Sequence, residues 1–261
     1  TLSSSSAASD VYKRQIYKLP MTWFSQFGVI FGDEVHGFKS KSLMSIMNKC
    51  TEAAYRFGTT GTLDGALTHE LVLQGLFGKI HRVTSTRALQ DDDTLAKLII
   101  RRIVLNYSDE IKKNFGKQTY QDEIKHIVNY QKRNHFIRKL TLDLKGNTLI
   151  LFARVEGHGL PLYELINKNK SPNQKVFFVH GGVDAHEREQ VREITEREEN
   201  AIIIASYGTF STGINIRNIH NIIFDSHTKY RIRNLKSIGR GLRKGSAKEK
   251  ATLFDISDDL R

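Results

Sequence analysis

The run Val29–Ile30–Phe31–Gly32–Asp33–Glu34–Val35–His36 sets two carboxylates and an imidazole directly after a short apolar segment. Phe27 to Phe31 reads as a parallel strand, apolar on both faces and buried. Acids that follow such a strand leave the sheet at the edge where open α/β sheets collect their ligands. In an enzyme that hydrolyses a nucleoside triphosphate, the first acid, here Asp33, holds Mg²⁺ directly or through water. The next, Glu34, orients and deprotonates the attacking water. The same residues also suit an acidic strand end facing solvent, and nothing within the run decides between the two.

A second run, Lys236–Ser237–Ile238–Gly239–Arg240–Gly241–Leu242–Arg243, places two arginines three residues apart, on one face if the segment is helical. Its glycines permit close backbone approach. Arginine's planar fork stays charged and grips phosphate oxygens bidentately, and a finger of this kind is worth about 10³ to 10⁵ in rate. Alone the run reads as a solvated basic helix; together with the acid pair it favours a polyphosphate.

Three smaller segments leave their strands at the same kind of edge. Ser206–Tyr207–Gly208–Thr209–Phe210–Ser211–Thr212–Gly213–Ile214–Asn215 follows a strongly apolar strand, and its small donors beside glycine suit a phosphate, or any polar loop. Thr60–Gly61–Thr62 is equally turn chemistry. His180–Gly181–Gly182 is either a nucleic-acid contact or a turn. The sequence nowhere contains G-x-x-x-x-G-K-[ST], the loop that cradles β- and γ-phosphates. Gly75–Leu76–Phe77–Gly78–Lys79 comes nearest, with the wrong spacing and no following hydroxyl. Without that cradle ATP loses most of its binding energy.

The elements that must position these residues follow from periodicity. After the acid pair come a helix over Ser42 to Tyr55, a short strand near Tyr55 to Phe57, a helix from Leu67 to Phe77 and a strand near Ile80 to Thr84. Asp91–Asp92–Asp93 reads as a solvated connection and the domain boundary. Beyond it strands at Leu98 to Leu105, Thr148 to Ala153, Val176 to Val179, Ala201 to Ala205, Asn221 to Phe224 and Thr252 to Asp255 alternate with helices. Those helices lie near Tyr120 to Leu142, Leu160 to Asn167, Asp184 to Glu198 and Arg231 to Lys244. The pattern is that of a parallel α/β sheet. Asp184 suits a helix N-cap with Glu187 in the capping-box place, and Pro161 a first helical turn.

With 261 residues and 39% hydrophobic composition, the chain can bury one large core or two moderate ones. Forty Lys and Arg against 28 Asp and Glu give a formal charge of +12, which points to a polyanion such as nucleic acid. The single cysteine, Cys50, excludes an internal disulfide and a cysteine-based zinc site, and fits a reducing cytoplasm. No apolar stretch approaches a membrane span, since Leu98–Ile99–Ile100 runs into Arg101–Arg102. Thr1 to Gln15, a Ser/Ala tract followed by Asp10–Val11–Tyr12–Lys13–Arg14–Gln15, lacks a signal-peptide core and reads as a foreign leader, or else a disordered one.

Taken in order, these blocks resemble motifs II, III, V and VI of the superfamily 2 helicases. Trp23–Phe24–Ser25–Gln26–Phe27–Gly28, the segment from Ala205–Ser206–Tyr207–Gly208 to Ile214, and Ile238–Gly239–Arg240 through Lys244 are similar to the phage UvsW-type recombination and repair helicases. The resemblance implies two RecA-like parallel-sheet domains closing on ATP and Mg²⁺, with DNA across both. The first would be truncated at its N-terminus and the second nearly complete. By position it implies that Asp33 holds Mg²⁺, Glu34 is the catalytic base, and His36, Thr60 and Thr62 couple hydrolysis to DNA. Arg240 and Arg243 become arginine fingers, Gly213, Asn215, Lys236 and Gly239 approach the nucleotide, and His180, Gly181, Ser206 and Thr209 meet DNA. The chain departs from the family pattern at Lys236, usually Gln, at Asn215, commonly Asp, and in Thr60–Gly61–Thr62, commonly Ser–Ala–Thr.

The implied organisation is a leader over 1–15, the later part of a first RecA-like domain over 16–92 and a second, with motifs IV to VI, over 93–261. The implied function is that of an ATP-dependent DNA helicase or translocase, of which this piece alone, lacking the phosphate loop, would not hydrolyse ATP. Its partner would be DNA, branched or double-stranded in preference to RNA, in a cytoplasm (the host's, if phage-encoded). The alternatives are a non-catalytic DNA-binding module of the same fold, or the motor segment of a restriction or RNA-processing enzyme.

Overall fold

The computed structural model describes residues 16–38, 40–63, 65–115, 118–213, 216–226, 231–244 and 248–260, without the side chains of 211–213, 231–233 and 236. Thr1–Gln15, read as a leader, and Asn215 lie outside the described residues, as does the Lys236 side chain. The chain divides into two compact units, Thr1–Val83 and Thr84–Arg261.

The first unit holds two parallel strands, β1 (Val29–Asp33) and β2 (Tyr55–Thr59), paired from Val29 opposite Tyr55 to Asp33 opposite Thr59. Helices α1 (Met21–Phe24), α2 (Lys41–Lys49) and α3 (Leu67–Phe77) accompany them. Phe24, Cys50 and Ala53 form the core, with Ile30 and Ile46 packed against it. Gly32 and Gly58 face each other across the pair. A Cβ on either would stand 2.9 Å from the Phe77 ring, so the paired glycines let α3 lay that ring on the strands. The other face is open. Val29, Phe31, Tyr55 and Phe57 are exposed there, with the Phe31 and Phe57 rings stacked 5.0 Å apart. The expected burial of β1 on both faces is therefore met on one, among the described residues. The strand expected at Ile80 to Thr84 does not form.

Helix α4 (Thr86–Asp91), N-capped by Ser85, opens the second unit. The acidic run is thus no simple connection: Asp91 closes a helix, and Asp93, at φ +59°, pairs with Lys244. Six parallel strands follow: β3 (Lys97–Asn106), β4 (Thr148–Phe152), β5 (Val176–Val179), β6 (Ile202–Ser206), β7 (Asn221–Phe224) and β8 (Lys250–Asp259). They lie in the order β3-β8-β7-β4-β6-β5. Between β3 and β4 run α5 (Asp109–Phe115), α6 (Tyr120–Asn129) and α7 (Gln131–Asp143); after them come α8 (Leu160–Asn169), α9 (Ala185–Arg197), α10 (Tyr207–Gly213) and α11 (Arg231–Gly241).

Every residue of β4 is buried. Leu149 and Leu151 face a core shared with Val191 of α9, Phe210 of α10 and Ile238 of α11. Ile150 and Phe152 face Ile137 of α7 and Leu162 and Ile166 of α8. Continuous apolar runs are what a strand between two helical layers requires. The single helix expected over Tyr120 to Leu142 breaks at Tyr130, whose backbone is extended. The Asn134 side chain donates to Val128 O at 3.0 Å, satisfying a carbonyl that the break exposes.

Candidate functional site

Asp33 ends β1, and Glu34 turns the chain away with a left-handed backbone (φ +52°, ψ 45°). Such a conformation costs a non-glycine residue about 1 kcal/mol and is concentrated at functional sites. The turn aims the Glu34 amide back, where it donates to Asp33 Oδ1 at 2.8 Å, and Thr59 Oγ1 donates to the same oxygen at 3.0 Å. His36 follows in a 3₁₀ turn. Its Nδ1 lies 3.0 Å from Thr60 Oγ1 and 3.2 Å from Glu34 Oε2, while Thr60 Oγ1 donates to Thr62 O at 2.9 Å. The first unit thus brings together all five residues singled out there: Asp33, Glu34, His36, Thr60 and Thr62. Thr59 escaped the sequence reading; the parallel register that sets it opposite Asp33 was the signal.

Both bonds from Glu34 and Thr59 fall on Asp33 Oδ1, leaving Oδ2 without a protein donor among the described residues. One outward carboxylate oxygen suits Mg²⁺, which keeps several waters and takes one or two carboxylates beside phosphate oxygens. No group of three His, Cys, Asp or Glu side chains among the described residues could hold a metal as a closed cage.

In the second unit α11 ends at Gly241, so Arg240 lies in its last turn and Arg243 beyond it, in an antiparallel bridge with Leu95. The arginines do not share a helical face. The glycines also differ: a Cβ on Gly241 would overlap Ile222 Cδ1, so this glycine seats the helix on β7, whereas one on Gly239 meets nothing within 4 Å. His180, Ser206 and Asp225 stand at or just past the ends of β5, β6 and β7, along one edge of the sheet. His180 Nδ1 accepts from the Gly182 amide at 3.1 Å, closing a turn around exposed Gly181. The segment after Ser206, expected as a polar loop, is helical through Gly213. Ser206 Oγ lies 2.8 Å from Thr209 Oγ1 and accepts from the Thr209 amide at 3.3 Å, so these hydroxyls cap the helix.

A buried ionic cluster behind this edge was not foreseen. The Arg133 guanidinium, fully buried on α7, donates to Asp225 Oδ1 at 2.6 Å, to the Asp225 carbonyl, and to Asp258 Oδ1 at 2.9 Å. Tyr107 OH donates to Asp258 at 2.7 Å, and His158 Nε2 lies 2.6 Å from Asp225 Oδ2. Burial alone would raise the Asp225 pKa, but His158 and Arg133 outweigh it and bring it down to about 2. Burial and the neighbouring Asp258 push the Tyr107 phenol up. The cluster fixes the exit of β7, where the chain turns towards α11, and Tyr207 OH holds the next carbonyl, Ser226 O, at 2.8 Å.

A parallel α/β unit with this strand order and an arginine-bearing last helix defines a class. Residues 131–245 match the helicase conserved C-terminal domain, and the sheet is the RecA-like sheet of such domains. The chain is 37% identical over 246 residues to the ATP-dependent DNA helicase UvsW of Enterobacteria phage T4, covering 93% of this chain and 48% of that protein. The crystal structure of T4 UvsW matches at 34% identity with a TM-score of 0.55, over 95% of this chain and 48% of that one. A fragment of a putative HsdR subunit of a type I restriction enzyme from Vibrio vulnificus YJ016 matches at TM-score 0.65 and 17% identity, over 95% of this chain and 45% of that one. That likeness concerns the fold alone. Together these likenesses support a superfamily 2 helicase close to UvsW, and the chain spans about half the length of that curated relative. No helix among the described residues is long and apolar enough to cross a membrane.

Proposed function

We propose that the chain supplies the later part of a first RecA-like domain and most of a second in an ATP-dependent DNA helicase or translocase acting in recombination and repair. ATP is hydrolysed in a cleft between the two domains, and their opening and closing moves DNA. The observation that carries this reading is the constellation at the exit of β1, where Asp33, Glu34, His36 and Thr60 lie within hydrogen-bond reach of one another in sequence.

In this mechanism the Glu34 carboxylate takes a proton from the water that attacks the γ-phosphate. His36, between Glu34 and Thr60, joins that base to the loop after β2, so a shift of the loop on DNA reaches the base. Asp33, oriented by Thr59 and the Glu34 amide, would hold Mg²⁺, which would neutralise phosphate charge. Arg240 and Arg243 stabilise the charge that develops on the transferred phosphoryl group. Gly213, Asn215, Lys236 and Gly239 lie along the nucleotide, and His180, Gly181, Ser206 and Thr209 face DNA. The +12 charge favours such a polyanion. The open apolar face of β1 and β2 supports an incomplete first domain, since parallel sheets are covered on both faces.

The test is phosphate release from ATP with and without branched DNA. The chain alone, which lacks the phosphate-cradling loop, should show no appreciable turnover, whereas the full-length parent should turn over and lose activity in Glu34→Gln. Turnover by the chain alone that vanishes in Glu34→Gln would show that the loop is dispensable. A full-length protein that binds DNA without hydrolysing ATP would be a binding module.

A further inference from the structure

The end of the arginine helix is tied down by a buried cation that the mechanism above does not use. Lys248 is 3% exposed. Its ammonium donates to Arg217 O at 3.0 Å, to Arg243 O at 3.2 Å and to Gly241 O. An ammonium has three donors, so all are spent, and every acceptor is a backbone carbonyl. No carboxylate among the described residues lies within ion-pair reach of it; Glu196, the acid that acts on it, accepts instead from the Arg217 amide at 2.5 Å. Burial pushes the Lys248 pKa down to about 8, which still leaves it charged at neutral pH.

The carbonyls it takes mark two segments. Gly241 ends α11 and Arg243 lies just beyond, at the negative end of the helix dipole, where a cation is favoured. Arg217 lies two residues after Asn215, on the segment that follows α10. Other ties hold the helix end from a different side. The Ala96 amide donates to Leu242 O at 2.9 Å, Leu95 bridges Arg243, and Lys244 pairs with Asp93. Removing Lys248 leaves those three in place and cuts the link to Arg217.

We propose that Lys248 is a positioning residue: its ammonium locks Arg217 to the end of the arginine helix, so that the backbone carrying Arg240 and Arg243 holds a fixed place relative to Arg217. The proposal rests on Arg240 and Arg243 being the groups that meet the triphosphate.

Two measurements on the chain itself read the lock without reference to ATP. Amino-selective ¹H–¹⁵N spectra at mildly acidic pH should show slowly exchanging Nζ protons for Lys248, and their absence overturns the proposal whatever any variant does. Lys248→Met keeps the aliphatic stem and removes the donors. The Leu242 and Arg243 amides should then exchange about tenfold faster or more, the scale of one lost charge-assisted hydrogen bond, while β4 and β6 keep their protection. Unchanged exchange at both amides overturns the lock.

In the full-length parent, Lys248→Met should lower kcat for DNA-stimulated ATP hydrolysis by about 10- to 100-fold, the range that a misplacement near 1 Å costs. KM for ATP should stay within about twofold, because the arginines act chiefly in the transition state. An unchanged kcat despite loosened amides overturns the positioning role. A wild-type parent with no ATP hydrolysis at all counts against the motor reading, and the two measurements on the chain still decide the lock.

Discussion

Asp33 and Asp225 occupy the same place in two parallel sheets and do opposite things. Each stands where an apolar strand leaves its sheet at the ligand edge. Asp33 is exposed and receives both of its hydrogen bonds on one oxygen. Asp225 is wholly buried, with one oxygen bonded to Arg133 and the other against His158. The sheets differ in the same sense. In the second unit β4, β6 and β7 lie between helical layers, with Leu149 and Ile150 buried on opposite faces. In the first, Phe31 and Phe57 have the composition for burial and stand open. Burial is concentrated in the six-stranded sheet, and the exposed strand-end carboxylates sit on the barely covered pair. A carboxylate left ready for a ligand costs the fold little; one already saturated by the protein has nothing left to offer a nucleotide.

The largest expected effects separate these roles. In the full-length parent, Arg240→Ala should lower DNA-stimulated ATP turnover by about 10³-fold or more, and Glu34→Gln by about 10² to 10⁴, with DNA binding retained in an anisotropy titration. An effect below tenfold at either position would remove it from the chemistry. Arg133→Met, by contrast, should leave the first unit's amide exchange unchanged and destabilise the second by about 3 to 5 kcal/mol in urea, because it removes the guanidinium shared by two buried carboxylates and leaves Asp225 only His158 and Asp258 only the Tyr107 hydroxyl. Equal loss of protection in both units would show that they fold as one.

The sequence made the parallel order and the acid pair legible because both are local patterns. An apolar run such as Leu149–Phe152 leaves few alternatives to a buried strand, and Asp33–Glu34–Val35–His36 is contiguous. Three features were hidden for physical reasons. The break at Tyr130 interrupts a helical periodicity that runs through it unaltered; it goes with the local bond from Asn134 to Val128 O and with the packing of the Tyr130 ring on the distant Tyr107 ring. The close seating of α11 at Gly241 depends on Ile222, which no local pattern connects to it. The Arg133 cluster joins residues as far apart as Tyr107 and Asp258, and Asp225 after Phe224 looks no different in sequence from Asp33 after Gly32. Which of two strand-end acids faces water is decided by what the rest of the chain packs on it.

Acid should act on the second unit first. The Asp225 pKa is depressed from 3.8 to about 2, so its contribution is fully present above pH 3.8 and is lost as pH falls through 2, an effect of about 2 kcal/mol. Urea midpoints followed between pH 5 and 2 should fall with that slope, and Asp225→Asn should flatten it. A wild-type midpoint that holds steady across this window would mean that Asp225 is not the charge the cluster depends on.

The smallest effect bears on the open face. Phe31 is 77% exposed, so Phe31→Lys should shift the stability of this chain by no more than about 0.5 kcal/mol. It should also lower the binding of an apolar dye, because it breaks the patch formed with Phe57. If further strands and helices cover that face in the full-length parent, the same change there should cost about 3 kcal/mol or more, as a large apolar group is lost and a charge buried. Equal, small effects in both proteins would mean that the face stays open in the parent. The contrast between the two sheets would then belong to the parent as well as to this chain.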